Sequence, residues 1–143
     1  MPRSRAALLK SKYGEAYGAK VAVTAATGIA ATHISGTTLH TQAGCGVPQT
    51  MQDFGKMNSA AAAARWRALD VLLIDEVSMI SAELLSAIER GARAIRGNAL
   101  PWGGVQLVVC GDFCQLPPIE RRPGPGLPKA RARAALAARR ACS

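Results

Sequence analysis

Aromatic residues are scarce in this chain, at 4% of 143 residues. The scarcity excludes an extended stacking platform of the kind on which OB folds bind single-stranded nucleic acid. Long apolar runs are missing too, since none approaches the roughly 18 residues that a membrane-spanning helix requires. No signal-peptide pattern is present. Acidic residues number only 9 against 18 Lys and Arg, so the chain carries a net charge of +9.

Cysteine usage gives no sign of a metal site or a disulfide framework. None of the four cysteines has a partner at metal-ligand spacing, and no His stands near Cys110 or Cys114 in the sequence. We therefore interpret them as reduced intracellular thiols. The apolar fraction of 49% is ordinary for a single α/β domain with a core of modest size.

Two acidic residues follow an apolar run of strand length. Residues 71–74 (Val-Leu-Leu-Ile) end in Asp75 and Glu76. Carboxylates next to a buried strand are costly without cationic partners. Because open α/β sheets bind ligands at the carboxyl ends of their strands, this pattern indicates a ligand site. The alternative is an ordinary strand followed by a polar helix start.

A second apolar run, within residues 105–109, is likewise followed by an acidic residue. Gly111 and Asp112 follow it, and Gln115 comes three residues later, before a pair of prolines that stops any helix. If the ligand at this site is a nucleoside triphosphate, a side-chain amide at that place is suited to contact its γ-phosphate. The alternative is a loop in which Gln115 is solvated.

These segments resemble superfamily-one DNA helicases, and most closely the petite-integration-frequency (Pif) group, relatives of RecD that move 5′ to 3′ on single-stranded DNA. The resemblance covers residues 5–119. Its motifs, in the order of that family, are residues 21–31 (motif Ia), 36–40 with 43–46, 75–79 (motif II), 102–107 and 111–118 (motif III).

The resemblance implies ATP as substrate and Mg²⁺ as cofactor, with single-stranded DNA and DNA junctions as partners. It implies that Asp75 holds Mg²⁺, that Glu76 activates the attacking water, and that Gln115 senses the γ-phosphate. It places Asp112 in the nucleotide site, where it couples that site to DNA. The residues implied to contact DNA are Thr24, Thr27, Gly28, Thr37, Thr38 and His40.

Structural alternatives stand beside the DNA assignments. Thr and His side chains at these positions also suit helix capping and core packing, and for His33 we favour packing. The same holds for Trp66 and Trp102, which we interpret as packing residues rather than base-stacking ones.

The phosphate-binding loop Gly-x-x-x-x-Gly-Lys-Ser/Thr is absent from the 143 residues. That loop supplies backbone N–H groups, a lysine and a hydroxyl to the nucleotide phosphates. The resemblance therefore predicts a fragment of a helicase motor that is inactive on its own. The alternative is a non-catalytic, basic nucleic-acid-binding fragment. By family resemblance the location is intracellular, in the nucleus, the mitochondrion or both in a eukaryote.

Strands alternating with helices predict an α/β fold, a parallel sheet with flanking helices. The family resemblance implies that this sheet is part of a RecA-like P-loop NTPase motor domain and that it lacks the P-loop strand. The predicted helices are 6–17, 27–32, 60–68 and 81–96, the last with Ser81 as N-cap and Gly97 as stop. The predicted strands are 20–25, 71–74 and 105–109, and residues 37–54 are predicted to be loop-rich.

The C-terminal segment differs in composition from the rest. We predict a motor domain over residues 1–119 and a basic, disordered tail over residues 120–143, rich in Pro, Gly, Ala and Arg. Residues 119–143 hold seven Lys or Arg and one Glu, so they carry +6 of the net charge of +9.

We expect that the tail is dispensable for folding and dominates nucleic-acid binding by this chain, because phosphate contacts depend on cationic side chains. Thermal melting and DNA binding at several salt concentrations, for the full chain and for a version ending at Ile119, test this. Loss of cooperative melting on truncation, or an unchanged affinity and salt dependence, would refute it.

Overall fold

The computed structural model describes residues 2–48 and 50–112. The predictions for Gln115 and for the basic tail lie outside these residues. Four strands are present in the described part: β1 (Val21–Ala25), β2 (Thr37–Thr38), β3 (Val71–Asp75) and β4 (Gln106–Val109). The α-helices are α1 (Pro2–Tyr13), α2 (Tyr17–Lys20), α3 (Gly28–His33), α4 (Leu39–Ala43), α5 (Ala60–Ala68) and α6 (Ala82–Arg96). Short 3₁₀ turns occupy Gly14–Ala16, Met51–Asn58, Val77–Met79 and Pro101–Gly104.

The strands form one sheet in the order β2-β1-β3-β4, and every neighbouring pair is parallel. The register places Ala25 of β1 opposite Asp75 of β3, and Ile74 of β3 opposite Val109 of β4. Parallel strands require crossover connections, and helices provide them here. The predicted parallel sheet with flanking helices is therefore confirmed.

Strand β3 lies inside the sheet and is the most deeply buried element. Val71, Leu72, Leu73 and Ile74 are each at most 1% exposed. Side chains alternate along a strand, so Leu72 and Ile74 face the same side. There they join a core with Leu39 of α4, Trp66 and Ala63 of α5, and Ile88, Ala92 and Ile95 of α6.

The helix α6 matches its prediction closely. The side chain of Ser81 accepts a hydrogen bond from the backbone N–H of Leu84 at 3.3 Å, which is the N-cap arrangement. Gly97 ends the helix in the left-handed conformation, with φ of 60°. Trp66 is fully buried and Trp102 is 7% exposed, so the packing interpretation of both is confirmed.

The prediction for residues 37–54 was wrong in part, because this segment contains β2, α4 and the first half of a 3₁₀ turn. Each element is too short to show periodicity. Local capping forms them instead: Oγ1 of Thr38 accepts from the N–H of Thr41, and Gly44 stops α4 with φ of 79°. The first helix begins and ends four residues earlier than the predicted 6–17, and Gly14 at φ 53° breaks it after Tyr13.

Entry into β2 depends on a glycine. A Cβ atom at Gly36 would lie 2.3 Å from the carbonyl oxygen of Val23. Only glycine lets the chain approach β1 this closely. Gly36 thereby fixes where Thr37 and Thr38 stand beside β1.

No helix in the described residues has both the length and the apolar character needed to cross a membrane.

One guanidinium group joins the segments that lead into β3 and β4. Arg96, in the last turn of α6, donates from Nε to the carbonyl oxygen of Gly103 at 2.7 Å. Its Nη1 donates to the carbonyl oxygens of Trp66, Arg67 and, at 2.8 Å, Leu69. These carbonyls belong to the end of α5 and the link to β3, where a helix leaves its last C=O groups without intrahelical partners. Arg96 therefore anchors the entrances of both strands.

We expect Arg96→Ala to lower the free energy of unfolding by about 2 kcal/mol or more, because it removes hydrogen bonds from a charged donor. Chemical denaturation of the variant measures this. Arg90→Ala is the matched control, since Arg90 is an exposed residue of the same helix. A variant as stable as this control would contradict the anchoring role.

Candidate functional site

The carboxyl ends of the four parallel strands meet at one edge of the sheet, here called the carboxyl edge. It comprises the residues at or just beyond the strand ends: Thr27 and Gly28 after β1, Thr37 and Thr38 of β2, Asp75 and Glu76 at the end of β3, and Gly111 and Asp112 after β4. The strand order puts the acidic residues on the β3–β4 half and the threonines on the β1–β2 half. The edge therefore brings together most residues that the sequence singled out.

The two acids of β3 differ in backbone conformation. Asp75 is the last residue of the strand and is partly exposed. Glu76 adopts the left-handed conformation, with φ of 54° and ψ of 39°. That conformation is uncommon for a residue with a Cβ, and such strain concentrates at functional sites. It turns the chain sharply from β3 into the 3₁₀ turn Val77–Met79.

The acids of β3 are not neutralised within the described part of the chain. None of the ion pairs among those residues involves Asp75 or Glu76. Oε2 of Glu76 is buried and has no hydrogen-bond partner. A buried carboxylate oxygen without a partner is costly, which is the state expected of a group that awaits a ligand.

The turn after β3 is locked to the exit of β4. The N–H of Val77 donates to the carbonyl oxygen of Cys110 at 3.0 Å, and the N–H of Cys110 donates to that of Ile74 at 2.8 Å. A Cβ atom at Gly111 would lie 3.1 Å from the backbone nitrogen of Val77 and 3.2 Å from that of Ser78. Glycine here lets the segment carrying Asp112 lie directly against the turn that carries Glu76.

The acidic half of the edge fits Mg²⁺ held together with a nucleotide. No group of three or more His, Cys, Asp or Glu that could bind a metal is found in the described residues. Mg²⁺ needs no such cage, because it is usually held by one or two carboxylates together with substrate phosphates and water. The carboxylate of Asp75 is a donor of that kind.

On the β1 half, Thr27 is the N-cap of α3. Its Oγ1 accepts a hydrogen bond from the N–H of Ala30 at 3.2 Å, and it is partly exposed. Gly28, the first residue of α3, is exposed. Both residues are accessible from the carboxyl edge, so their DNA assignment stays a prediction.

The prediction that Thr24 contacts DNA is wrong. Its side chain is fully buried, and its hydroxyl donates to the carbonyl oxygen of Leu73 at 2.7 Å. The hydroxyl has its hydrogen-bond partner on the neighbouring strand β3, and the side chain has no exposed surface with which to contact a ligand. Thr24 ties β1 to β3 instead.

Strand β2 contributes two threonines to the carboxyl edge, of which one is exposed and the other caps α4. Thr37 is exposed. Oγ1 of Thr38 accepts from the N–H of Thr41 and lies 2.9 Å from Oγ1 of the same residue, so the capping alternative describes it correctly. DNA contacts by Thr37 and Thr38 stay predictions.

His33 is exposed at the end of α3, so its interpretation as a core histidine was wrong.

His40 lies in the first turn of α4 and is half-buried. Burial disfavours the charged imidazolium and lowers the pKa of His40 below its ordinary value of 6.5. Burial therefore favours the neutral form of the ring. A neutral ring contacts DNA by hydrogen bonding or stacking rather than by an ion pair.

Sequence reasoning assigned no role to Ser78, although it stands inside motif II. Its Oγ is buried without a hydrogen-bond partner. The available signal was a small polar residue between the apolar residues Val77 and Met79, directly after the acids.

We expect the imidazole protons of His40 to titrate with a midpoint below 6.5, as followed by NMR. Because the unfolded chain binds the proton more tightly, the contribution of His40 to stability is fully present above pH 6.5. It is lost as the pH falls through the lower, folded-state pKa. His40→Gln should make thermal stability less sensitive to pH in that window. A midpoint at or above 6.5 would contradict the stated burial effect.

Comparison with known proteins places this geometry in a family. Residues 7–135 match the family model described as PIF1-like helicase. The ATP-dependent DNA helicase PIF1 of Emericella nidulans is 49% identical over 105 residues, which are 70% of this chain and 14% of that protein. The mouse (Mus musculus) protein of the same name is 42% identical over 116 residues, 80% of this chain and 18% of its own length.

Solved structures agree. The crystal structure of the Pif1 helicase from Candida albicans superposes with a TM-score of 0.74 and 43% identity, over 82% of this chain and 27% of that one. The Bacteroides Pif1 helicase in complex with ADP-AlF3 and single-stranded DNA superposes with a TM-score of 0.65 and 32% identity, over 84% of this chain and 28% of that one. The chain thus spans less than a third of the length of these relatives. With its parallel sheet, its paired acids and these similarities, the chain belongs to the PIF1-like helicase family.

Proposed function

We propose that this chain supplies part of the ATP site and part of the DNA-binding surface of an ATP-dependent DNA helicase that moves 5′ to 3′ on single-stranded DNA. The observation that carries the proposal is the carboxyl edge. Its acids lie at or just beyond the ends of β3 and β4, and its accessible hydroxyl and glycine residues lie at or just beyond the ends of the adjacent β1 and β2. Open α/β sheets bind their ligands at this edge.

The acidic half is proposed to act on ATP. Asp75 holds the nucleotide-bound Mg²⁺, and Glu76 accepts a proton from the attacking water. When bound, Mg²⁺ neutralises charge on the phosphoryl oxygens. Asp112 stands in the same half, and Gln115, which lies outside the described residues, is proposed to contact the γ-phosphate.

The other half is proposed to contact the DNA backbone. Gly28 and Thr37 are exposed, and Thr27, Thr38 and His40 are partly exposed. Hydroxyl and backbone N–H groups bind phosphates without reading sequence, which suits an enzyme that moves along DNA.

A direct backbone contact joins the two halves. The N–H of Ala26 donates to the carbonyl oxygen of Asp75 at 3.2 Å, and Ala26 directly precedes Thr27, the N-cap of α3. A displacement of Asp75 on nucleotide binding or release is therefore passed to the start of α3. We propose this contact as one route that couples ATP turnover to DNA.

Further parts of the proposal rest on family resemblance alone. They are action on DNA junctions, roles in DNA repair, recombination and telomere maintenance, and location in the nucleus, the mitochondrion or both. The Bacteroides relative crystallised with ADP-AlF3 and single-stranded DNA supports the choice of ATP and single-stranded DNA as ligands.

A second candidate is a non-catalytic, basic nucleic-acid-binding protein. It is favoured by the absence of a Gly-x-x-x-x-Gly-Lys-Ser/Thr sequence from the 143 residues and by the net charge of +9. Without that loop, the 143 residues hold no lysine and N–H cradle for the phosphates. The two candidates differ in whether the acidic half contributes to hydrolysis.

A chimera separates the two candidates. Residues 7–112 of this chain replace the matching segment of the Candida albicans Pif1 helicase, to which the chain is 43% identical. We expect the chimera to hydrolyse ATP and Glu76→Gln to lower kcat about 100-fold or more, because the amide cannot act as a base. The affinity for ATP should stay unchanged, since the amide preserves shape.

Glu15→Gln is the control for this experiment, because Glu15 is exposed and distant in sequence from the edge. The isolated 143-residue chain should show negligible DNA-stimulated phosphate release. Full activity of the Glu76→Gln chimera would refute the proposed role of Glu76. Turnover by the isolated chain at about 1 per second or faster, the range of intact phosphoryl-transfer enzymes, would refute its inactivity.

A further inference from the structure

Two buried polar atoms in the turn after β3 make no hydrogen bond. They are Oε2 of Glu76 and Oγ of Ser78. Buried polar groups in folded proteins almost always have partners, so each unpartnered atom calls for an explanation. Two such atoms lie within three consecutive residues, next to a strained backbone. They indicate a site whose hydrogen bonds are completed only when a ligand is bound.

The two groups are chemically complementary. An ionised carboxylate only accepts hydrogen bonds, whereas a serine hydroxyl donates one. A hydroxyl that donates to a carboxylate forms a short, charge-assisted bond that also fixes the direction of the carboxylate. No ion pair among the described residues competes for Glu76.

Backbone hydrogen bonds and close packing hold the turn in place. The N–H of Val77 is bonded to the carbonyl oxygen of Cys110, and the N–H of Met79 to that of Glu76, both at 3.0 Å. Gly111 packs so closely that even a methyl group there would approach the backbone nitrogen of Ser78 to 3.2 Å. Side-chain rotations of Glu76 and Ser78 are therefore the change that brings the two groups together with the least disturbance of these contacts.

We propose that Ser78 is a positioning residue for Glu76. With nucleotide bound, the Ser78 hydroxyl donates a hydrogen bond to the Glu76 carboxylate and holds it toward the attacking water. Ser78 acts through Glu76 and touches neither ATP nor DNA. This inference rests on the proposed function of Glu76, and it adds a residue for which sequence reasoning gave no role.

The first test uses the ATPase activity of the chimera described above. We expect Ser78→Ala to lower kcat about tenfold to 100-fold, the scale of a misdirected catalytic group. The KM for ATP should stay within about twofold, because a positioning residue acts after binding. Ser78→Thr, which keeps the hydroxyl, should restore most of kcat. In the Glu76→Gln background, Ser78→Ala should have no further effect, because the group it positions is already lost.

The second test measures thermal unfolding of the 143-residue chain without nucleotide. Because the Ser78 hydroxyl is buried and unpaired there, Ser78→Ala should unfold at the same or a higher temperature. Ser81→Ala is the matched control three residues away. The Ser81 hydroxyl accepts from the N–H of Leu84 at 3.3 Å, so its loss should lower the unfolding temperature.

The outcomes separate this inference from the proposed function. An inactive chimera, or one that Glu76→Gln leaves active, overturns the proposed function and this inference with it. If Glu76→Gln abolishes turnover but Ser78→Ala keeps the original kcat, this inference alone is wrong. A raised KM in Ser78→Ala would assign Ser78 to nucleotide contact instead. A lowered unfolding temperature, or no rescue by Ser78→Thr, would assign it a structural role and also overturn the inference.

Discussion

The parallel pairing of β1 and β3 is the constraint on which the rest of the structure depends. It places Ala25 opposite Asp75, so the end of one strand fixes the position of the other. Parallel direction brings every carboxyl end to the same edge, which no antiparallel arrangement of these segments would do. The fully buried Thr24 reinforces the pair through its bond to Leu73. Acidic and hydroxyl residues from distant parts of the chain therefore meet.

The core supplies rigid support for the residues of the carboxyl edge. Leu72 and Ile74 hold β3 against α5 and α6, while Arg96 ties the end of α5 and the turn before β4 to the end of α6. Core packing thereby sets the position of β3, which ends in Asp75. The hydrogen bonds from Arg96 to carbonyl groups that would otherwise lack partners set the entrances of β3 and of β4, which leads to Asp112. The strain at Glu76 persists because these surroundings hold its backbone in place.

Local sequence predicted several elements well. The helix α6 was identified by its apolar spacing, by Ser81 at its start and by Gly97 at its end, because caps and stops act through neighbouring residues. The segment containing β2 and α4 was misjudged. Its elements are two and five residues long, so no periodic pattern can develop, and Gly36 acts through a contact with Val23 that only the fold creates.

Contiguous residues alone located β1, β3 and β4 to within one residue at each end, placed the acids Asp75 and Glu76 at the end of β3, and carried the resemblance that pointed to a helicase. These are properties of contiguous residues. The tertiary structure alone decided that Thr24 is buried, that Glu76 is left-handed with an unpartnered oxygen, and that Ser78 stands beside Gly111. The physical reason is that burial and hydrogen-bond satisfaction depend on neighbours from other strands, which are remote in the sequence and are brought together only by the sheet.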